Sequence, residues 1–253
     1  MSSSTAVIVG GASGIGLAVA RRFAMDGAST IIIDINAEDV DNAADIVSAY
    51  AKTRVLGLVA DVRRGAELAA AFSQSASQHG TIDSLVVTAG VLRPGLLAQI
   101  SDADYDLTFD VNTKGFWSSV RAALPHLSPT GSCIVAISSA SGQRPKASNG
   151  AYSASKAALQ FLVRAFALEL ASQNVRVNCV APSTIETPLI AEYTASRAAG
   201  GYTPSAPPPI GRLCSPEDIA NAIAFLCADG AAFITGTTIS VDGGLTAGIP
   251  LQR

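Results

Sequence analysis

The chain has 253 residues, 49% hydrophobic and only 15% charged, with a net charge of −3 from 17 basic and 20 acidic side chains. That length buries a sizeable core without disulfides or a structural metal, and the mixed, slightly acidic charge excludes the basic stripe on which nucleic-acid binding depends. The charged share falls below the ~25% usual in soluble domains, so part of the exterior is expected to be covered in an oligomer.

Met1–Thr5 carries no positive leader segment, and apolar runs such as Ser84–Thr88 and Ala222–Ala228 are far shorter than the ~18 residues of a membrane span. A cytoplasmic protein with no membrane partner is expected. Short, nearly continuous apolar runs predict strands at Thr5–Val9, Ser29–Asp34, Val55–Val59, Ser84–Thr88, Cys133–Ile137, Val175–Val180 and Thr238–Val241, a pattern suited to strands buried on both faces. Helical periodicity fills the intervals at Ile15–Asp26, Ala37–Tyr50, Ala66–His79, Asp104–Leu127, Ala151–Gln173 and Pro216–Ala228. Ser101 with Asp104, and Ser215 with Pro216 and Asp218, read as helix starts. Strands alternating with helices, joined by right-handed crossovers, give an α/β fold: one Rossmann-type, doubly wound parallel sheet with helices on both faces. No repeat or linker divides it, so residues 1–253 are expected to form a single dinucleotide-binding and catalytic domain. The Gly- and Pro-rich stretch 188–213 breaks the alternation and reads as a lid over the active site.

The four cysteines, Cys133, Cys179, Cys214 and Cys227, show no CxxC spacing and read as reduced structural thiols. His79 and His126, at the ends of predicted helices, are assigned to the surface.

After the first strand comes Gly10-Gly11-Ala12-Ser13-Gly14-Ile15-Gly16, which opens a helix. Glycines at such a turn let the backbone approach a pyrophosphate, and the helix N-terminus favours its charge. Asp34, eighteen residues after Gly16, ends the next strand. A carboxylate there accepts hydrogen bonds from ribose hydroxyls and repels a 2′-phosphate. Neither Ser13 nor Ile35 supplies a cation to offset that repulsion, so the expected cofactor is NAD rather than NADP. Tyr152 and Lys156 are four apart on a predicted helix and share one face. An ammonium beside a phenol, which titrates near ~10 when unperturbed, favours the phenolate that a proton acceptor requires. Ser139, thirteen residues before Tyr152, lies just past the end of a strand, where open α/β sheets bind ligands.

From Thr5 to about Gly244 the sequence resembles the short-chain dehydrogenases/reductases. The glycine turn matches the family's TGxxxGxG motif apart from Val9 in place of threonine, and Ser139, Tyr152 and Lys156 match its S…YxxxK pattern. The resemblance implies that Gly10, Ser13, Gly14, Ile15, Gly16, Asp34 and Ile35 hold the cofactor. It also implies that Asp61 and Val62 contact the adenine. The NNAG segment appears as Val87-Thr88-Ala89-Gly90, with both asparagines replaced, and Thr88, Ala89 and Gly90 are implied to border the cofactor. Pro182 is implied to contact the cofactor and Ile185 and Thr187 to hold its carboxamide, with Ser183 where the family has glycine. Tyr152 is implied as general acid/base, Ser139 as hydrogen-bond donor to the substrate oxygen, Lys156 as ribose ligand and Asn112 as holder of a relay water. Ser138 is read as structural. The tail Val241-Asp242-Gly243-Gly244 and the family habit imply a homotetramer.

The expected activity is hydride transfer between a nicotinamide and a small secondary alcohol or ketone. The alternatives are a catalytically inactive dinucleotide sensor and a non-redox enzyme of the same fold, such as an epimerase. Candidate substrate contacts are Arg93, Ser141, Gln143 and Arg144, with Tyr193, Arg197 and Tyr202 from the lid; the arginines would suit a carboxylate.

Overall fold

The structure is a computed structural model that describes residues 4–185 and 208–248. Seven parallel strands form one sheet in the order β3-β2-β1-β4-β5-β6-β7. They are β1 Thr5–Val9, β2 Ser29–Asp34, β3 Val55–Val59, β4 Ser84–Val87, β5 Ser132–Ile137, β6 Val175–Pro182 and β7 Thr238–Val241. The helices between them are α1 Gly14–Met25, α2 Ala37–Ser48, α3 Gly65–His79, α4 Asp102–Phe109, α5 Gly115–Ala123, α6 Gly150–Leu170 and α7 Pro216–Cys227.

Successive strand side chains point to opposite faces, so each apolar run feeds two cores. Val7, Val9, Ile31 and Ile33 pack under α3, α5 and α6 through Phe72, Phe116 and Leu159. Ala6, Ile8 and Ile32 pack under α1, α2 and α7 through Val19, Val47 and Ile223. The expected doubly wound sheet is therefore present, with helices packed on both faces. Its strand order turns between β1 and β4, and the crevice beyond the carboxyl ends of these two strands is where such sheets bind ligands.

The helix starts have their side-chain caps. Ser101 Oγ accepts from the Asp104 N–H at 3.1 Å, and Ser215 with Asp218 forms a reciprocal capping box. One expected element differs. The helix predicted over Asp104–Leu127 is divided into α4, a π-helical turn at Asp110–Lys114, α5 and a 3₁₀ turn at Leu124–His126. Pro125 lies in that last turn, where the missing N–H and fixed φ favour the tighter winding. The four cysteines are free thiols. His79 and His126 are both half-buried rather than surface-exposed, and burial lowers the pKa of His79.

Candidate active site

The glycine turn follows from close packing. Gly10 has φ +81° and Gly14 φ +50°, in the left-handed region that costs side-chain-bearing residues dearly. A Cβ on Gly10 would lie 2.4 Å from the Ala89 nitrogen, and one on Gly16 would lie 2.0 Å from the Gly10 carbonyl oxygen. Side chains stitch the turn to its neighbours by three bonds. Thr88 Oγ1 donates towards the carbonyls of Val9 (3.0 Å) and Gly10 (2.8 Å), while Asp34 Oδ2 accepts from the Ala12 N–H at 3.0 Å. Thr88 thus supplies a side-chain hydroxyl to the turn, where Val9, in the position of the family's threonine, supplies none. Ser13 precedes α1 without capping it, and the first turn of α1 holds no acidic residue. The N–H groups there are left for an anion, which the helix dipole also favours.

Around this turn lies a groove of about 630 Å³ whose lining includes Gly10, Ser13, Gly14, Ile15, Gly16, Asp34, Ile35, Asp61, Val62, Thr88, Ala89 and Gly90. The close-packed glycines, the uncapped helix start and the Asp34 carboxylate fit a dinucleotide. Sequence reasoning did not single out Arg63, which lines the same groove and forks onto Asp61 with its Nη2 at 2.6 Å. That guanidinium holds the Asp61 carboxyl below its usual range. The signal was a cation two residues beyond Asp61, easily passed over on an otherwise ordinary strand exit.

A second cavity, about 140 Å³, is lined by Ser139, Tyr152 and Lys156 together with Leu92, Ser141, Asn149, Pro182, Ser183, Thr184, Ile185 and Leu245. It meets the groove at three residues common to both linings, Ile15, Thr88 and Gly90. α6 carries Tyr152 and Lys156 one turn apart, with the Lys156 Nζ 5.8 Å from the Tyr152 ring centre. Lys156 is buried, donates to the Ile137 carbonyl at 2.8 Å, and has its pKa lowered to about 8 by desolvation. Ser139 follows β5 in an extended conformation, φ −162°, and its Oγ accepts from the Ser141 N–H at 3.1 Å. Ser138 also borders the cavity, but its buried hydroxyl is engaged: it donates to the Lys156 carbonyl at 3.0 Å and accepts from Gln160 Nε2 at 2.8 Å.

Asn112 sits within the π-helical turn, a distortion that commonly marks functional sites. Its Oδ1 accepts from the Val91 N–H at 2.8 Å, and its Nδ2 donates to the Val91 carbonyl at 2.9 Å and to Ser155 Oγ at 3.0 Å. Both amide hydrogens are therefore committed to holding the Val91 loop against α6.

Of the other expected contacts, Pro182 and Ile185 line the catalytic cavity, and Thr187 lies outside the described residues, as do Tyr193, Arg197 and Tyr202. Ser141 lines the cavity, while Gln143 accepts from Ser240 Oγ and Arg144 is exposed; neither is among the lining residues. Arg93 lines the groove instead, 3.4 Å from Asp104.

A doubly wound sheet with a glycine-turn groove opening onto a Tyr–Lys–Ser cavity defines a nucleotide-dependent oxidoreductase fold. The family described as enoyl-(acyl carrier protein) reductase matches residues 10–246, and the chain belongs to the short-chain dehydrogenase/reductase family, oxidoreductases that use a nicotinamide dinucleotide. It is 39% identical to a cis-4-hydroxycyclohexanecarboxylate dehydrogenase of Sinomonas cyclohexanicum over 96% of both chains. Its structure is similar to a 3-ketoacyl-(acyl-carrier-protein) reductase from Brucella melitensis complexed with NADH, with a TM-score of 0.86 and 30% identity over 96% of this chain and 98% of that one. It is also similar to an actinorhodin polyketide ketoreductase with NADPH, with a TM-score of 0.90 and 28% identity over 96% and 97% of the two chains.

Proposed function

We propose that the chain is an NAD(H)-dependent dehydrogenase that interconverts a small secondary alcohol and its ketone. The observation that carries this reading is the junction of the two cavities: Ser139, Tyr152 and Lys156 surround a space that opens onto the glycine groove through Ile15, Thr88 and Gly90. The nicotinamide, when bound, supplies the hydride acceptor or donor. Everything else falls to the chain.

In the oxidation direction Tyr152, as phenolate, takes the proton of the substrate hydroxyl, and in reduction it returns one. Ser139 donates a hydrogen bond to the same oxygen and stabilises its developing charge. Lys156, buried in the lining of the catalytic cavity, favours the phenolate while its cationic form persists and binds the nicotinamide ribose. Asn112 is a positioning residue: it fixes the Val91 loop and Ser155, and the one lone pair left on Oδ1 is where a relay water would be held. Ile185 and Thr187 are assigned to the carboxamide, Pro182 to the cofactor beside them, and Asp61 and Val62 to the adenine.

Asp34 supports NAD over NADP, because its carboxylate lines the groove where a 2′-phosphate would meet like charge. The first-named relative acts, by its name, on a cyclic alcohol, and the apolar walls of Leu92, Ile185 and Leu245 suit such a skeleton. We read the chain as one domain, with 188–213 as its lid; the described end of that stretch is tied down where the Ile210 N–H donates to the Gly243 carbonyl at 3.2 Å. We also assign it a homotetrameric state, supported by Trp117, Phe161 and Leu168 exposed on α5 and α6 and by Phe225 and Phe233 elsewhere. No described helix is long and apolar enough to cross a membrane; a cytoplasmic location remains part of this proposal. The test is absorbance at the reduced nicotinamide with a panel of cyclic and acyclic secondary alcohols. Reduction of NAD⁺ in preference to NADP⁺ is expected, and no turnover with either cofactor would overturn the reading.

A further inference from the structure

Asn149 stands at the N-cap of α6, the position where asparagine ordinarily accepts from a helix N–H. Here its side chain makes no cap bond. The residue is 2% exposed, its Oδ1 has no hydrogen-bond partner among the described residues, and it lines the catalytic cavity. Ser183 Oγ, in the same cavity lining, is likewise buried and has no partner among the described residues. Buried polar atoms left unpaired are few in folded proteins, and each calls for a physical reason. Both of these border the space beside Tyr152, three residues from Asn149 and on the same helical face. A helix that forgoes its cap and buries an acceptor at a ligand cavity violates a local rule where function repays it.

We propose that Asn149 Oδ1, backed by Ser183 Oγ, is a second hydrogen-bonding point for substrate, and that it receives a second hydroxyl. The preferred substrate class is then a small diol, oxidised at the hydroxyl that Tyr152 and Ser139 hold. This rests on the dehydrogenase reading above. The acceptor chemistry separates a diol from a hydroxy acid. An amide oxygen takes a hydroxyl hydrogen but repels a carboxylate. Among the described residues the cavity lining contains one cation, Lys156, already bonded to the Ile137 carbonyl. The arginine expected to greet a carboxylate is absent from the described lining: Arg144 is exposed and Arg93 is beside Asp104 in the groove. In this respect the chain differs from what the name of its hydroxycyclohexanecarboxylate relative would lead one to expect.

The experiment compares kcat/KM for cis- and trans-1,2-cyclohexanediol, cyclohexanol and 4-hydroxycyclohexanecarboxylate, with NAD⁺ and with NADP⁺. A site built to bond a substrate hydroxyl discriminates strongly against analogues lacking it, so the better diol isomer should exceed cyclohexanol by about tenfold or more. Asn149→Ala should collapse that ratio to within about threefold, and Ser183→Ala should lower it by a few-fold. Diols no better than cyclohexanol, a preference for the hydroxy acid, or an intact ratio in Asn149→Ala would overturn the inference and leave the dehydrogenase reading standing. If Asn149→Ala does not fold, an intact ratio in Ser183→Ala overturns it instead. No oxidation of any of the alcohols with either cofactor removes both.

Discussion

The Lys156 ammonium donates a 2.8 Å hydrogen bond to the Ile137 carbonyl, at the end of β5 and two residues before Ser139. A buried cation with one neutral partner is costly, and desolvation lowers its pKa from 10.5 to about 8. Between those two values the unfolded chain holds a proton that the folded chain lacks, so this site's contribution to stability rises with pH across that window. Below pH 8 the cost is fully present, roughly 3 kcal/mol.

Lys156→Met should therefore be inactive yet more stable than the parent at pH 7. The gain is about 2 kcal/mol, because the Ile137 carbonyl left without its donor takes back roughly 1 kcal/mol. The advantage should narrow by about 2 kcal/mol between pH 7 and pH 9.5. Urea unfolding at the two pH values measures it. A variant less stable at both would show that the lysine is not strained by burial.

Thr88 ties β4 to the glycine turn through the carbonyls of Val9 and Gly10. Thr88→Val keeps the shape and removes the hydroxyl. The expected result is a loss of about 1 kcal/mol in stability and a several-fold rise in KM for the dinucleotide, with kcat changed much less. A larger effect on kcat than on KM would place Thr88 in the chemistry rather than in the turn.

Asp34 does two things: it accepts from Ala12 and Ile35 main-chain N–H groups, at 3.0 and 2.8 Å, and it presents negative charge to the groove. Asp34→Ala should raise the ratio of kcat/KM for NADP⁺ over NAD⁺ by about tenfold or more, a change equivalent to roughly 1.4 kcal/mol. It should also weaken NAD⁺ binding, because the turn loses a tie. An unaltered enzyme that already prefers NADP⁺ would contradict the role given to Asp34, and would direct attention to Arg63.

The sheet was legible because its inner strands are short apolar runs between turn residues, buried on both faces with no alternation to misread, while the edge strands β3 and β7 are only partly buried. The helix over Asp104–Leu127 was legible as helix but not as four pieces. A π-helical turn shifts the winding by one residue, which periodicity averaged over several turns does not resolve, yet it is where Asn112 meets Val91 and Ser155. Tyr152 and Lys156 could be paired by spacing alone, whereas their junction with the groove depends on β4 and β5 lying side by side. Asn149 was invisible in sequence for a different reason. Asparagine before a helix is what capping predicts, and only the geometry shows that the cap is not made.

The central claim is that Tyr152 moves the proton. The most direct measurement is the steady-state rate of NAD⁺ reduction by Tyr152→Phe with the best alcohol substrate, alongside dinucleotide binding by the same variant. Binding should stay within a few-fold of the parent while kcat falls by about 10²–10⁴, the range that general acid–base catalysis supplies. A variant that binds the dinucleotide and retains the parent's rate would contradict it.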